Sequence, residues 1–140
     1  PQTGLQDLTG SQLAAMKRYS NFYRETRLPE IYPKMTVKGK ESVTGKDAYV
    51  VEATPDDGPA EIMYFDADSG LLVRLQTEGE GPNGKVNVDS TFDDYREVDG
   101  VKLPFLIHQS FGEFSFTIKL TEVKHNVPIE DAKFDKPAAP

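Results

Sequence analysis

Asp94-Tyr-Arg-Glu-Val-Asp-Gly-Val-Lys-Leu-Pro-Phe105 is the stretch whose reading decides the fold. Two apolar-alternating runs flank Asp99-Gly100. Asp-Gly between such runs signals a hairpin, because a two-residue type I′ turn needs positive φ at both positions. Counting outward from the turn sets Val98 opposite Val101, Glu97 opposite Lys102, Phe92 opposite Ile107 and Val88 opposite Phe111. Val88, Phe92, Val98, Val101, Leu103, Phe105, Ile107 and Phe111 then share one face. Asp89, Thr91, Asp93, Tyr95, Glu97, Lys102, Pro104, His108 and Ser110 share the other. One dry side and one wet side predict an antiparallel sheet covered on a single face.

Working outward, the same alternation predicts five further strands. Met35–Thr44 and Asp47–Thr54 bracket a Gly-first turn at Gly45-Lys46. Pro55-Asp-Asp-Gly-Pro59 is a loop with turn chemistry at nearly every position. Ala60–Asp66 and Leu71–Glu78 flank Ala67-Asp-Ser-Gly70, and a Gly- and Pro-rich loop at Gly79–Gly84 leads to a strand over Lys85–Glu97. Lys102–Phe111 and Phe114–Asn126 close the series across Gly112-Glu113. This last pairing sets Ile118 opposite Ile107 and Leu120 opposite Phe105. Seven strands in successive hairpins, with no helix-length segment between any pair, exclude parallel crossovers.

The two turns flanking Lys102–Phe111 conflict. Two ideal two-residue turns would ask the odd-numbered residues of that strand to hydrogen-bond both neighbours, yet a strand residue aims its N–H and C=O at one side only. A looser turn or a bulge is therefore required, and Pro104, which has no N–H, marks a candidate place.

Before the strands, Thr9-Gly-Ser-Gln12 has capping-box spacing, with Ser11 a competing N-cap. Gln12, Ala15, Met16, Tyr19, Phe22 and Tyr23 then recur at helical spacing, opposite Lys17, Arg18, Ser20, Asn21, Arg24 and Glu25. The pattern predicts an amphipathic helix over roughly 11–26. Its role is to cover the apolar face of the sheet. Pro29 and Pro33 make 28–34 irregular or a single turn. The tail from Val127 to Phe134 leaves the sheet and carries Ile129 and Phe134 as an apolar pair. Residues 1–8 and 137–140 read as flexible ends of one domain that spans 1–140.

Composition narrows the function. A chain of 140 residues can bury a core as one domain. The net charge of −7 argues against nucleic acid, whose phosphates need a surplus of Lys and Arg, and weakly against electrostatic attachment to anionic lipid. With no cysteine, disulfides, thiolate metal sites and covalent haem are excluded from this segment. No run reaches membrane-spanning length. The chain opens with Pro1 in place of Met, the form of a mature protein or an excised domain.

Catalytic and metal readings are weak. Asp66-Ala-Asp-Ser-Gly70 lacks the ligand spacing of a calcium loop and reads better as a turn in which Asp66 bonds its own backbone and Gly70 takes positive φ. His108 and His125 are the only histidines, and pairing sets Thr117, not His125, opposite His108. Asp56-Asp57, Asp93-Asp94 and Glu130-Asp131 offer carboxylates with no third catalytic group beside them. Asp94 falls with Arg96 on the nominally apolar face. No nucleophile elbow or phosphate loop is present in the sequence. No enzymatic activity, no metal and no cofactor are predicted. The unusual feature is aromatic. Tyr19, Phe22, Tyr23, Phe92, Phe105, Ile107, Phe116 and Ile118 are candidates to line an apolar cavity between helix and sheet.

Tyr64-Phe-Asp-Ala-Asp-Ser-Gly-Leu-Leu72, the central hairpin, and the closing Asn126-Val-Pro-Ile-Glu-Asp-Ala-Lys-Phe134 together resemble the outer-membrane lipoprotein-sorting superfamily, the LolA/LolB-like proteins. The resemblance covers roughly residues 35–136. It implies an α+β fold, a curved seven-stranded antiparallel sheet forming an unclosed β-barrel covered by the N-terminal helix. It also implies a periplasmic or outer-membrane location and a non-enzymatic binding domain. The concave apolar face of that domain takes a lipid, a lipoprotein acyl chain or another hydrophobic guest, with peripheral membrane association open to it. The hairpins are similar, too, to domains attached to larger exported proteins, including cytochrome-like ones. The competing reading is therefore a structural or protein-interaction domain with no open cavity.

Overall fold

The computed structural model describes residues 7–81 and 83–136. Strands β1 (Lys34–Val43), β2 (Lys46–Thr54), β3 (Glu61–Asp66), β4 (Leu72–Gly81), β5 (Gly84–Val98), β6 (Val101–Phe111) and β7 (Phe114–Lys119) form one antiparallel sheet in sequence order. Ahead of them run helix α1 (Gly10–Tyr19), a 3-10 turn at Arg24–Thr26 and the one-turn helix α2 (Leu28–Ile31). The predicted ends at 1–6 and 137–140 lie outside the described residues.

The central hairpin pairs as counted: Val98 with Val101, Glu97 with Lys102, Phe92 with Ile107 and Val88 with Phe111. Asp99 and Gly100 both take positive φ, 52° and 80°, as a type I′ turn demands. The conflict over hydrogen-bonding sides is resolved on β5, not at Pro104. The ladder passes from Asp93–Leu106 to Tyr95–Pro104 without an inserted residue, and between them Asp94 stands left-handed with φ 50°. Beyond this break, Gly112 N–H reaches Asn87 O at 3.4 Å and Leu120 N–H donates to Phe105 O at 2.9 Å. Even-numbered residues of the distal half of β6 therefore turn to β5, and odd-numbered ones to β7.

The register assigns every strand residue to one of two faces. Val51, Met63, Leu75, Ser90, Gln109 and Phe116 form one row of the apolar face, and Phe92, Ile107 and Ile118 lie in the next. On the opposite face, Val50, Tyr64, Arg74, Thr91, His108 and Thr117 stand side by side. In a flat sheet β1 and β7 would lie about 29 Å apart, at ~4.8 Å per strand. Yet Ser42–Thr44 at the end of β1 and Ser115–Thr117 of β7 line the same hollow, together with Arg74, Asp89, Thr91 and His108. The sheet is thus curled and unclosed, with its polar face inside, which corrects the concave apolar face that the resemblance implies.

Each face holds its own core. On the outer, apolar face, Tyr32 packs on Val51, Ala53, Met63 and Leu75, with Leu28, Ile31, Phe65, Leu72 and Phe92 around them. On the inner face, Val43, Ala48, Val50 and Tyr64 bury one another beside Ile62 and Val73.

Further sequence expectations are corrected. The helix stops at Tyr19 instead of running to 26: the Asn21 side chain accepts the Tyr23 N–H at 2.9 Å, a local bond that competes with helix continuation. Its inward side is also reversed. Arg18 and Arg24 are buried, while Met16, Tyr19, Phe22 and Tyr23 are exposed. Thr9 is the N-cap in extended conformation, but its side chain makes no capping bond. The first hairpin turns at Thr44-Gly45, both at positive φ, with Val43 opposite Lys46. Finally, β7 ends at Lys119 and not at Asn126.

Candidate functional site

Glu61 organises the contact between the helical segment and the sheet. It opens β3 on the apolar face and is only 2% exposed. An ionised carboxylate taken out of water needs paired charge and hydrogen bonds to remain there. Its Oε1 accepts from Arg18 Nη2 at 3.4 Å and from the Tyr19 hydroxyl at 3.1 Å. Its Oε2 accepts from Arg24 Nη2 at 3.4 Å and from the Tyr32 hydroxyl at 2.8 Å. Arg18 reaches on to Asp57, and Arg24 to Glu25 at 2.5 Å. The Arg24 guanidinium also lies 5.3 Å and 5.7 Å from the ring centres of Tyr19 and Tyr32. Burial first, then the Arg24 and Glu61 charges pulling in opposite senses, leave the Tyr32 phenol pushed up to about 12. Tyr19 is exposed along part of its ring, but its hydroxyl is desolvated against Glu61, and that desolvation first and the Glu61 charge next raise it likewise. Sequence periodicity missed this cluster because it scores Arg18 and Arg24 as solvent-facing.

The inner hollow has a volume of about 740 Å³ and a polar lining. Arg74 grips Asp89 through Nε at 2.9 Å and Nη2 at 2.5 Å, and Gln76 adds a bond at 3.1 Å. The hydrogen bond from Arg74 holds the Asp89 carboxyl below its ordinary range. His108 Nδ1 lies 2.8 Å from Thr117 Oγ1, the neighbour that strand pairing assigns to it.

The eight apolar candidates divide. Phe92, Ile107 and Ile118 adjoin across β5, β6 and β7, with Phe116 next along β7 on the same face. Phe105 is buried beneath Arg96, whose guanidinium stands 4.6 Å from the ring centre. Phe116 and Ile118 are 48% and 41% exposed, and neighbouring Phe114 is 72% exposed. Among the described residues, the cover of Tyr32, Leu28 and Ile31 over β2–β4 reaches as far as Phe92, while Phe116 and Ile118 beyond it stay exposed. From the helical segment, Phe22 and Tyr23 make an edge-to-face pair at 5.2 Å and are exposed. Tyr19 belongs to the Glu61 cluster instead.

The remaining candidates fall where their chemistry is ordinary. Asp66 accepts from the Ser69 N–H and hydroxyl, both at 2.7 Å, and Gly70 has φ 72°, the turn that its sequence predicts. The backbone bond from Ser69 leads the causes that lower the Asp66 pKa. His125 lies 3.0 Å from Asp99 at the tip of the central hairpin. Asp94 pairs with Arg96 at 2.6 Å, and Asp93 accepts the N–H of Asp94. Among the described residues, no three His, Asp or Glu side chains converge as a metal site would need.

The fold, one curled and unclosed seven-stranded antiparallel sheet with an N-terminal helix, is LolA-like. The chain superposes on a domain described as an outer membrane lipoprotein-sorting protein from Vibrio parahaemolyticus with a TM-score of 0.56 and 17% identity, over 76% of this chain and 47% of that one. It superposes equally, at 21% identity, on a DUF1329 family protein from Desulfovibrio piger, over 76% of this chain and 46% of that one. The likeness is one of fold, and the chain spans less than half the length of either neighbour. No protein-family model matches the chain, and no curated protein matches it by sequence.

Proposed function

We propose that this domain binds an apolar guest, an acyl chain of a lipid or lipoprotein, and performs no chemistry on it. The observation that carries the reading is the uncovered part of the apolar face, where Phe116 and Ile118 are exposed beside Ile107 and Phe92. A contiguous apolar surface left open on a folded domain marks a place of association. Phe22 and Tyr23 form a second exposed apolar patch, on the helical segment. Phe105, buried beneath Arg96, and Tyr19, bound to Glu61, belong to the packing of the domain and are not part of either patch. Likeness to the Vibrio outer membrane lipoprotein-sorting domain supports a working place in the periplasm or at the outer membrane.

Titration with a fluorescent fatty acid tests the reading. Saturable binding is expected, weakened about tenfold or more when Ile118→Ser and Phe22→Ser are combined, since each exposed apolar side chain contributes on the order of 1 kcal/mol. Both residues are exposed, so the thermal midpoint should hold. Absence of saturable binding, or binding indifferent to the double variant, overturns it. A protein-interaction domain is the second reading. It is favoured by the chain spanning less than half of each solved neighbour, and it predicts no saturable fatty-acid binding.

A further inference from the structure

We infer that two copies of this chain pair through β7, edge to edge and antiparallel, about a twofold axis at Phe116. The two edges of the sheet are built differently. An open strand edge is a template for pairing, and folded proteins normally guard it with lysines, bulges or cover. Strand β1 is guarded: it carries Lys34, Lys38 and Lys40, a register shift between Val37 and Gly39, and Gly39 at φ 147°. Strand β7 has none of these devices until Lys119 at its end, and all six of its residues are exposed.

The hydrogen-bonding sides of β7 fix which register a second copy could take. Leu120 N–H donates to Phe105 O, so the even-numbered residues of β7 face β6. Ser115, Thr117 and Lys119 therefore aim their N–H and C=O at the open side, and only odd-with-odd pairing can satisfy them. Centring on Phe116 sets Ser115 of each copy opposite Thr117 of the other, as hydrogen-bonded pairs. It sets Phe114 opposite Ile118 and Phe116 opposite its own copy on the apolar face. It also sets Lys119 of each copy beside Glu113 of the other, an opposite-charge pair made twice by symmetry. Aromatic, hydroxyl and charged residues all meet partners that stabilise cross-strand pairs. Because the interface is isologous it closes at two copies, joining seven strands from each into one sheet.

Sedimentation velocity across a concentration series tests this, with three variants. The native chain should move from monomer to dimer as concentration rises. Thr117→Pro removes one outward N–H per copy while leaving the backbone bonds to β6, and should weaken the dimer roughly thirtyfold for two lost hydrogen bonds. Lys119→Glu should weaken it as well, and the charge swap Lys119→Glu with Glu113→Lys should restore it. Phe116→Cys, in a chain otherwise free of cysteine, should cross-link under mild oxidant, because the two positions meet at the axis. A chain that stays monomeric throughout, or a dimer that both Thr117→Pro and Lys119→Glu leave unchanged, overturns the inference. Thr117→Pro retains Phe22 and Ile118, so failure here is separable from failure of the fatty-acid titration.

Discussion

The two halves of the apolar face share an alternating pattern and meet different fates. Over β2–β4, Ala53 and Met63 are wholly buried beneath Tyr32, Leu28 and Ile31. Over β7, Phe114, Phe116 and Ile118 continue the alternation and remain exposed. The difference teaches that alternation decides which side of a strand is apolar, whereas cover depends on where a separate segment is anchored. Here the anchor is electrostatic. Arg18, Arg24, Tyr19 and Tyr32 converge on Glu61 and hold the helical segment over β2–β4.

Removing the anchor is therefore the sharpest way to break the comparison. Glu61→Ala leaves two buried guanidinium groups without their shared carboxylate, and should cost roughly 3–5 kcal/mol. Urea unfolding followed by tyrosine fluorescence measures it. A cost below about 1 kcal/mol, the size of an exposed pair, would show that the cluster does not hold the cover. Apolar packing should rank next. Phe105→Ala, beneath Arg96 at the margin of the open half, should cost about 3 kcal/mol, at the lower end for a buried aromatic. An unchanged urea midpoint would contradict its place in the core.

Alkaline pH should release the same cover more gently. The folded Tyr32 pKa lies at about 12, above the ordinary tyrosine value of 10.0. Its folded pKa is raised, so the contribution is fully present below pH 10 and is lost as pH rises through about 12. The unfolded chain holds fewer protons in that window, and stability must fall there. Tyr19 shifts in the same direction and adds to the slope. The urea midpoint should therefore be flat from neutral pH to about 10 and decline above it. Tyr32→Phe, which cannot ionise, should flatten part of that decline, and an undiminished slope would assign it to other groups.

Much of the architecture was legible in the sequence. The Asp99-Gly100 turn, the register of the central hairpin and the Ile107–Ile118 pair follow from alternation and turn chemistry alone. The need for a break in hydrogen-bonding sides was also legible, as a parity argument. Its location was not, because left-handed Asp94 leaves no residue inserted and no signal beyond an acid in an apolar position. The helical segment was misread for a related reason. Periodicity places aromatics inward and arginines outward, but Glu61 alternates in phase with Met63 and Phe65. An acid on an apolar face calls cations inward, and this signal lies forty residues from the arginines that answer it. Alternation places Phe92, Ile107, Phe116 and Ile118 on one face, whereas Phe22 and Tyr23 stand exposed on the helical segment. The resemblance implies a concave apolar face, and the direction of curl overturns it: β1 and β7 approach across a hollow lined by Arg74, Asp89, Thr91 and His108, and no local signal in a strand fixes which face closes.

The smallest expected effect sharpens the comparison most. Phe114 is a large aromatic on the apolar side of a strand, and by sequence alone it is equivalent to Phe105. If membership of the apolar face set the energetics, Phe114→Ser would cost several kcal/mol, as loss of a core aromatic does. Phe114 is 72% exposed, so little of its surface leaves water on folding. The substitution should thus change stability by no more than about 0.5 kcal/mol, the range of an ordinary surface site. Measured at low protein concentration, where the β7 edge is unpaired, this small value separates position on a face from burial. A loss comparable to that of Phe105→Ala would mean that β7 is covered within one chain, and the open half of the sheet would not exist.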